Sequence, residues 1–131
     1  MFDWKKPTVE MLGRWQPWHD GHTELFKRAL KKTGQVCIMY RDVGGVDAGV
    51  SGQSDNPFHF EEVKKNIIDE LKLHGFNEGK EFIILRVPNI VDISYGRGVG
   101  YTFTEHDLGE EIHKISATNI RKNMRSKGNL K

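Results

Sequence analysis

A single cysteine, Cys37, occurs in 131 residues. No disulfide framework can form within the chain, which fits a protein of the reducing cytoplasm. A domain of this length buries enough surface to fold without such staples. Long apolar runs are also lacking. Nothing approaches the roughly 20 apolar residues that cross a bilayer, and Met1 to Pro7 has no apolar segment of the kind that opens a secretory signal. A membrane partner is therefore not expected. Nor is there an excess of either charge: 20 basic residues face 18 acidic ones, for a net charge of +2. That balance argues against a nucleic-acid partner. The basic stretch Arg121 to Lys127 reads as a solvated helix end. With four prolines, no repeat and no linker, the chain reads as one domain over 1–131, with its core at about 8–125.

What is present is an alternation of strand and helix signals. Thr8 to Leu12 reads as a strand, and Gln35 to Tyr40 is the continuous apolar run of a buried parallel strand. Phe82 to Val87 reads as a third strand, stopped by Pro88. Ile90 to Ile93, Tyr101 to Thr104 and Ile112 to Ile115 are shorter strand candidates. Helical periodicity runs from Gly21 to Lys32, with Leu25, Phe26, Ala29 and Leu30 on one face and Gly34 as the stop. A second helix runs from Phe58 to Leu73, with Val63, Ile67, Ile68 and Leu71 on its stripe and Asn56 or Pro57 at its start. A third spans Ser116 to Arg125. The pattern predicts an α/β domain of Rossmann-like, three-layer form, with a mostly parallel sheet of about five strands and helices on both faces.

Gly13-Arg14-Trp15-Gln16-Pro17-Trp18-His19-Asp20-Gly21-His22 follows the first strand and opens the first helix. In a parallel sheet that junction is the carboxyl edge, where ligands bind. Helix N-termini present free N–H groups and partial positive charge, so they favour anions. His19 and His22 can both donate to phosphate oxygens. Gly21 clears a Cβ from the backbone, and Trp15 and Trp18 are apolar anchors for the loop. A zinc pair is the competing reading, but no Cys or third His has matching spacing.

This segment resembles the G-R-F-Q-P-F-H-x-G-H motif of the cytidylyltransferase-like nucleotidyltransferase superfamily. Ile115-Ser116-Ala117-Thr118-Asn119-Ile120-Arg121 resembles that superfamily's I-S-x-T-x-I-R, and Asn56-Pro57-Phe58 its N-P-F-T. The order is also shared, and the nearest resemblance is to archaeal-type nicotinamide mononucleotide adenylyltransferases. The resemblance implies catalytic roles on the triphosphate for Arg14, His19, His22 and Arg121. It implies nucleotide binding by Gly13, Trp15, Gln16, Gly21, Ser116, Ala117 and Thr118. It further implies Mg²⁺ held mainly by the nucleotide's phosphates, and transfer of a nucleotidyl group from a nucleoside triphosphate to a small, phosphorylated acceptor with release of pyrophosphate.

The departures concern the acceptor. The second helix reads Glu61-Glu62-Val63-Lys64-Lys65-Asn66-Ile67, without the arginine of E-R-x-x-M-I. Ser94 to Tyr101 replaces a helix that holds the acceptor in those enzymes. Arg41 and Asp42, at the end of the second strand, and Arg97, among glycines, are candidate acceptor contacts. The loop from Gly44 to Asn56, within the long stretch 42–56, is a candidate lid or acceptor clamp. ATP is the favoured nucleotide and CTP the alternative. A non-catalytic nucleotide-binding module of the same fold is the rival reading, and a fragment of a class I aminoacyl-tRNA synthetase is disfavoured by the absence of a K-M-S-K-S loop. Small proteins of this fold often pair, so a homodimer or higher homo-oligomer is compatible with the sequence.

Overall fold

The computed structural model describes residues 1–43, 57–98 and 100–106. Within them the order is β1 (Val9–Gly13), α1 (Asp20–Thr33), β2 (Val36–Arg41), α2 (Phe60–Leu73) and β3 (Phe82–Val87). The three strands form one parallel sheet in the order β1-β2-β3. The α/β class and the parallel sheet agree with the sequence reading.

Each element follows from its residues. The helical periodicity of α1 buries Phe26 and Ala29 on one side. The helix ends at Gly34, whose φ of 85° is left-handed and whose N–H reaches Leu30 O at 2.7 Å; glycine adopts that conformation without steric cost. α2 buries Val63, Ile67 and Leu71 at a spacing of four. In β2, Val36, Ile38 and Tyr40 alternate toward one face and are fully buried.

Both described helices lie on that same face. The register pairs Val36 with Phe82, so those residues share a side. The Phe26 ring of α1 meets the Phe82 ring edge-on at 5.7 Å, and the Phe60 ring of α2 lies 5.3 Å from that of Tyr40. Two right-handed crossovers stepping the same way across a sheet place their helices together. The result is one core of Met11, Phe26, Ile38, Val63, Ile67, Leu71 and Phe82. The expectation of helices on both faces is thus met on one face by the described residues, and the helix expected over 116–125 lies outside them. Cys37 is buried in the register row of Glu10, and burial, then the Glu10 charge, raise its thiol pKa. It is a packed thiol.

Other expectations change. α2 is capped by His59, two residues beyond Pro57. Ile90–Ile93 and Tyr101–Thr104 form no strand. Val91, Ile93, Tyr101 and Phe103 stand 53–84% exposed, so their apolar pattern has no sheet neighbour. The described sheet has three strands, and the candidate at 112–115 lies outside the described residues. No helix among the described residues is long and apolar enough to cross a membrane.

Candidate functional site

β1 runs out at Gly13, and α1 begins at Asp20 after six intervening residues. The turn between them is held from within. A Cβ on Gly13 would meet the Trp15 ring at 2.8 Å, so glycine is required for that ring to lie across the strand end. Trp15 has a φ of 53°, a left-handed conformation that a bulky residue keeps only when its surroundings hold it. Its Nε1 donates to Met39 O at 3.1 Å, which ties the turn to β2. Trp18 Nε1 donates to Thr23 Oγ1 at 2.8 Å, which ties it to α1. Both indoles are buried.

Gln16 reaches furthest. Its Nε2 donates to Phe58 O and its Oε1 accepts from Phe58 N, both at 2.8 Å. Gln16 is only 2% exposed, so this carboxamide satisfies an entire backbone unit just before α2. The resemblance made Gln16 a nucleotide contact; its visible work is to join the turn between β1 and α1 to the start of the second helix.

The two histidines stand at the α1 N-terminus. His19 is the cap, and its Nδ1 accepts from Gly21 N at 3.0 Å. His22 Nδ1 accepts from His19 N at 3.1 Å. The rings stack, with centroids 3.7 Å apart and planes 18° from parallel. Trp15 and Trp18 flank His22 at 4.8 and 5.4 Å. Because each Nδ1 accepts a backbone N–H, each neutral ring carries its proton on Nε2. Burial lowers the pKa of His19 against the raising effect of Asp20. Burial first, and the neighbouring His19 second, lower that of His22 to about 3. At neutral pH the pair therefore offers two Nε2–H donors at the positive end of a helix. Such an array suits an anion. It does not suit a metal, since Nδ1 is engaged and Nε2 is protonated. Among the described residues no group of three or more His, Cys, Asp or Glu could hold a metal ion.

The remaining candidates fall into three groups. Arg14 follows Gly13 on the same carboxyl edge and is half-buried. Arg41 and Asp42 end β2 on that edge. Asp42 Oδ2 accepts from Arg86 Nε at 2.8 Å and lies 2.6 Å from its Nη2. Arg86 drew no attention in the sequence, where it is one polar residue in an apolar strand; only pairing in register with Tyr40 brings it beside Asp42. Arg97 is exposed on the segment after β3, and no hydrogen bond or ion pair joins it to the histidines. Ser116, Ala117, Thr118, Arg121 and the loop 44–56 lie outside the described residues.

Fold and site together define an α/β unit that presents a neutral histidine pair at a helix start on the carboxyl edge of a parallel sheet. Over 66 residues, half of this chain, it is 35% identical to a nicotinamide-nucleotide adenylyltransferase of Methanococcus aeolicus. The matched stretch covers 36% of that relative, so the chain spans about a third of the length of the curated relative it matches. No protein-family model and no solved structure matches the chain.

Proposed function

We propose that the protein is a nucleotidyltransferase that binds a nucleoside triphosphate at His19 and His22 and transfers its nucleotidyl group to a small phosphorylated acceptor, releasing pyrophosphate. The observation that carries the reading is the pair of Nε2–H donors fixed at the start of α1. The partial identity to an adenylyltransferase supports it and favours ATP over CTP. Attack by an acceptor oxygen on the α-phosphate forms one P–O bond and breaks the α–β bridge, and the bridging electrons leave on pyrophosphate. Such chemistry depends on placing the reactants and stabilising charge more than on covalent help from the protein. His19, His22 and Arg14 would bear on the phosphates from one side. Ser116, Ala117, Thr118 and Arg121 would add the further nucleotide contacts that the resemblance implies. Mg²⁺ would be held mainly by the phosphates themselves and would neutralise their charge.

A thermal-shift panel of ATP, CTP, GTP and UTP with Mg²⁺ tests the reading. A nucleotide at 100 times its dissociation constant should stabilise the fold by about 2.7 kcal/mol. No shift with any of the four sinks the proposal. Pyrophosphate release on adding nicotinamide mononucleotide or glycerol 3-phosphate then separates an enzyme from a nucleotide-binding module.

A further inference from the structure

The indole of Trp18 and the hydroxyl of Thr23 meet across the start of α1. Trp18 is the residue before the His19 cap, and Thr23 is the fourth residue of the helix. A side-chain contact between those two positions fixes the angle at which a chain enters a helix, and it is ordinarily apolar. α2 carries an apolar pair there, Phe58 and Val63. α1 has a hydrogen bond instead, Trp18 Nε1 donating to Thr23 Oγ1 at 2.8 Å. Both residues are almost fully buried, at 3% and 4% exposed. Threonine is a weaker helix former than leucine or alanine, and an indole N–H in a core needs a partner. An apolar pair would staple the helix without either demand, so the bond answers to something besides the entry angle.

His22 lies beside that bond. The Trp18 ring packs 5.4 Å from its imidazole, and Thr23 follows it on the same helical turn, so the bond makes indole, hydroxyl and histidine one unit. Trp15 is anchored the other way. Its Nε1 donates to Met39 O on β2 at 3.1 Å, and its ring stands edge-on to His22 at 4.8 Å. His19 stacks on the same imidazole. His22 Nδ1 is already engaged by His19 N, so the direction of Nε2–H depends on where these three rings keep the imidazole. Phenylalanine at 15 and 18, as in the motif this turn resembles, would pack but could not be anchored in this way. We propose that Thr23 is a positioning residue of the triphosphate site: its hydroxyl locks the Trp18 indole, and the locked indole aims the Nε2–H of His22 at the phosphates. This rests on the nucleotidyltransferase reading and adds a residue that the phosphates never touch. Without the hydroxyl, the buried N–H turns toward water for a partner, and the imidazole gains room to turn with it.

The test separates aim from fold. ATP with Mg²⁺ is titrated calorimetrically into the full chain and its variants, and chemical denaturation of each fixes conditions under which all are native. Thr23→Val keeps the side chain's shape and removes the hydroxyl. It should weaken ATP binding by about tenfold, the worth of one misaligned hydrogen bond to a charged group. Thr23→Ser should restore most of the affinity. Trp18→Phe removes the donor without leaving a buried N–H unpaired, so it keeps the test open should Thr23→Val fail to fold, and it should cost as much. The double variant should lose no more than either single one, because both act through one bond. Imidazole ¹⁵N spectra at neutral pH give a readout that a staple alone would not move. His22 should hold one Nε2–H tautomer in the parent and in Thr23→Ser, and a mixture in Thr23→Val and Trp18→Phe. Parent-like ATP affinity in Trp18→Phe, losses that add in the double variant, or an unchanged tautomer in both single variants would each overturn the proposal and leave the pair a helix staple. If the parent binds no ATP, the nucleotide reading fails by itself, and the tautomer spectra still decide the role of Thr23.

Discussion

α1 and α2 both begin on a histidine, His19 and His59, and in both the third helical residue reaches back to the cap's backbone N–H. In α1 that residue is His22, accepting at 3.1 Å; in α2 it is Glu62, accepting at 3.4 Å. The surroundings differ. His22 is enclosed by two tryptophans and stacked on its partner, whereas His59 and Glu62 are exposed. The first turn of α2 carries Glu61 and Glu62, which answer the positive end of that helix internally. The first turn of α1 carries only Asp20, whose charge acts on His19, and its box is made of two imidazoles that keep their Nε2–H donors rather than of a carboxylate. The same backbone problem, four unsatisfied N–H groups at a helix start, is thus solved twice. One solution closes the end against anions and the other leaves it open to them.

The two starts are not independent, because Gln16 joins them. Gln16→Leu should remove the acceptor of the Phe58 N–H and leave the Phe58 carbonyl only its 3.5 Å bond from Tyr40 Oη, and destabilise the fold by about 3 kcal/mol, at 1–3 kcal/mol for each buried group left unpaired. Chemical denaturation measures it, and a loss under 1 kcal/mol would show the starts to be uncoupled. Turning α1 into a copy of α2 sharpens the contrast. His22→Glu keeps a side chain that can accept from His19 N but brings negative charge, and should weaken triphosphate binding by about a hundredfold, or 2.8 kcal/mol. Glu62→Gln should leave that binding unchanged. Titration of ATP with Mg²⁺ into both variants decides the point.

The smallest effect is in pH. His22 binds its proton more weakly when folded than when unfolded, so between pH 6.5 and about 3 the unfolded chain takes up a proton that the native one refuses. Stability is full above pH 6.5 and falls on acidification, by up to about 1.4 kcal/mol per pH unit in this window. Melting curves from pH 7 to 5 should show the parent losing more than His22→Asn. Equal slopes would mean that His22 is not held neutral by its burial.

Much of this was legible in the residues. β3 falls where its apolar run lies, and the other four elements are within about two residues of their periodicity. Capping explains the misplaced start of α2: Asn56 and Pro57 are good starting residues by type, yet the cap falls to His59. The strand expected at Ile90 to Ile93 failed for a different reason. Alternating apolar residues make a strand only when an edge receives them, and no local pattern reveals that. The histidine pair was visible because its residues lie only three positions apart in sequence. Gln16–Phe58 and Asp42–Arg86 were not, because 42 and 44 residues separate the partners and only the folded chain brings them together.

The tryptophan enclosure of His22 has an optical consequence. Of the three indoles in the chain, Trp15 and Trp18 are buried against the histidine pair, while Trp4 is 71% exposed. Emission from the first two is tied to the state of that imidazole, and Trp4 adds a solvent-like background that a Trp4→Phe substitution removes. The protein therefore carries its own fluorescent reporter for whatever occupies the helix start, readable without a label.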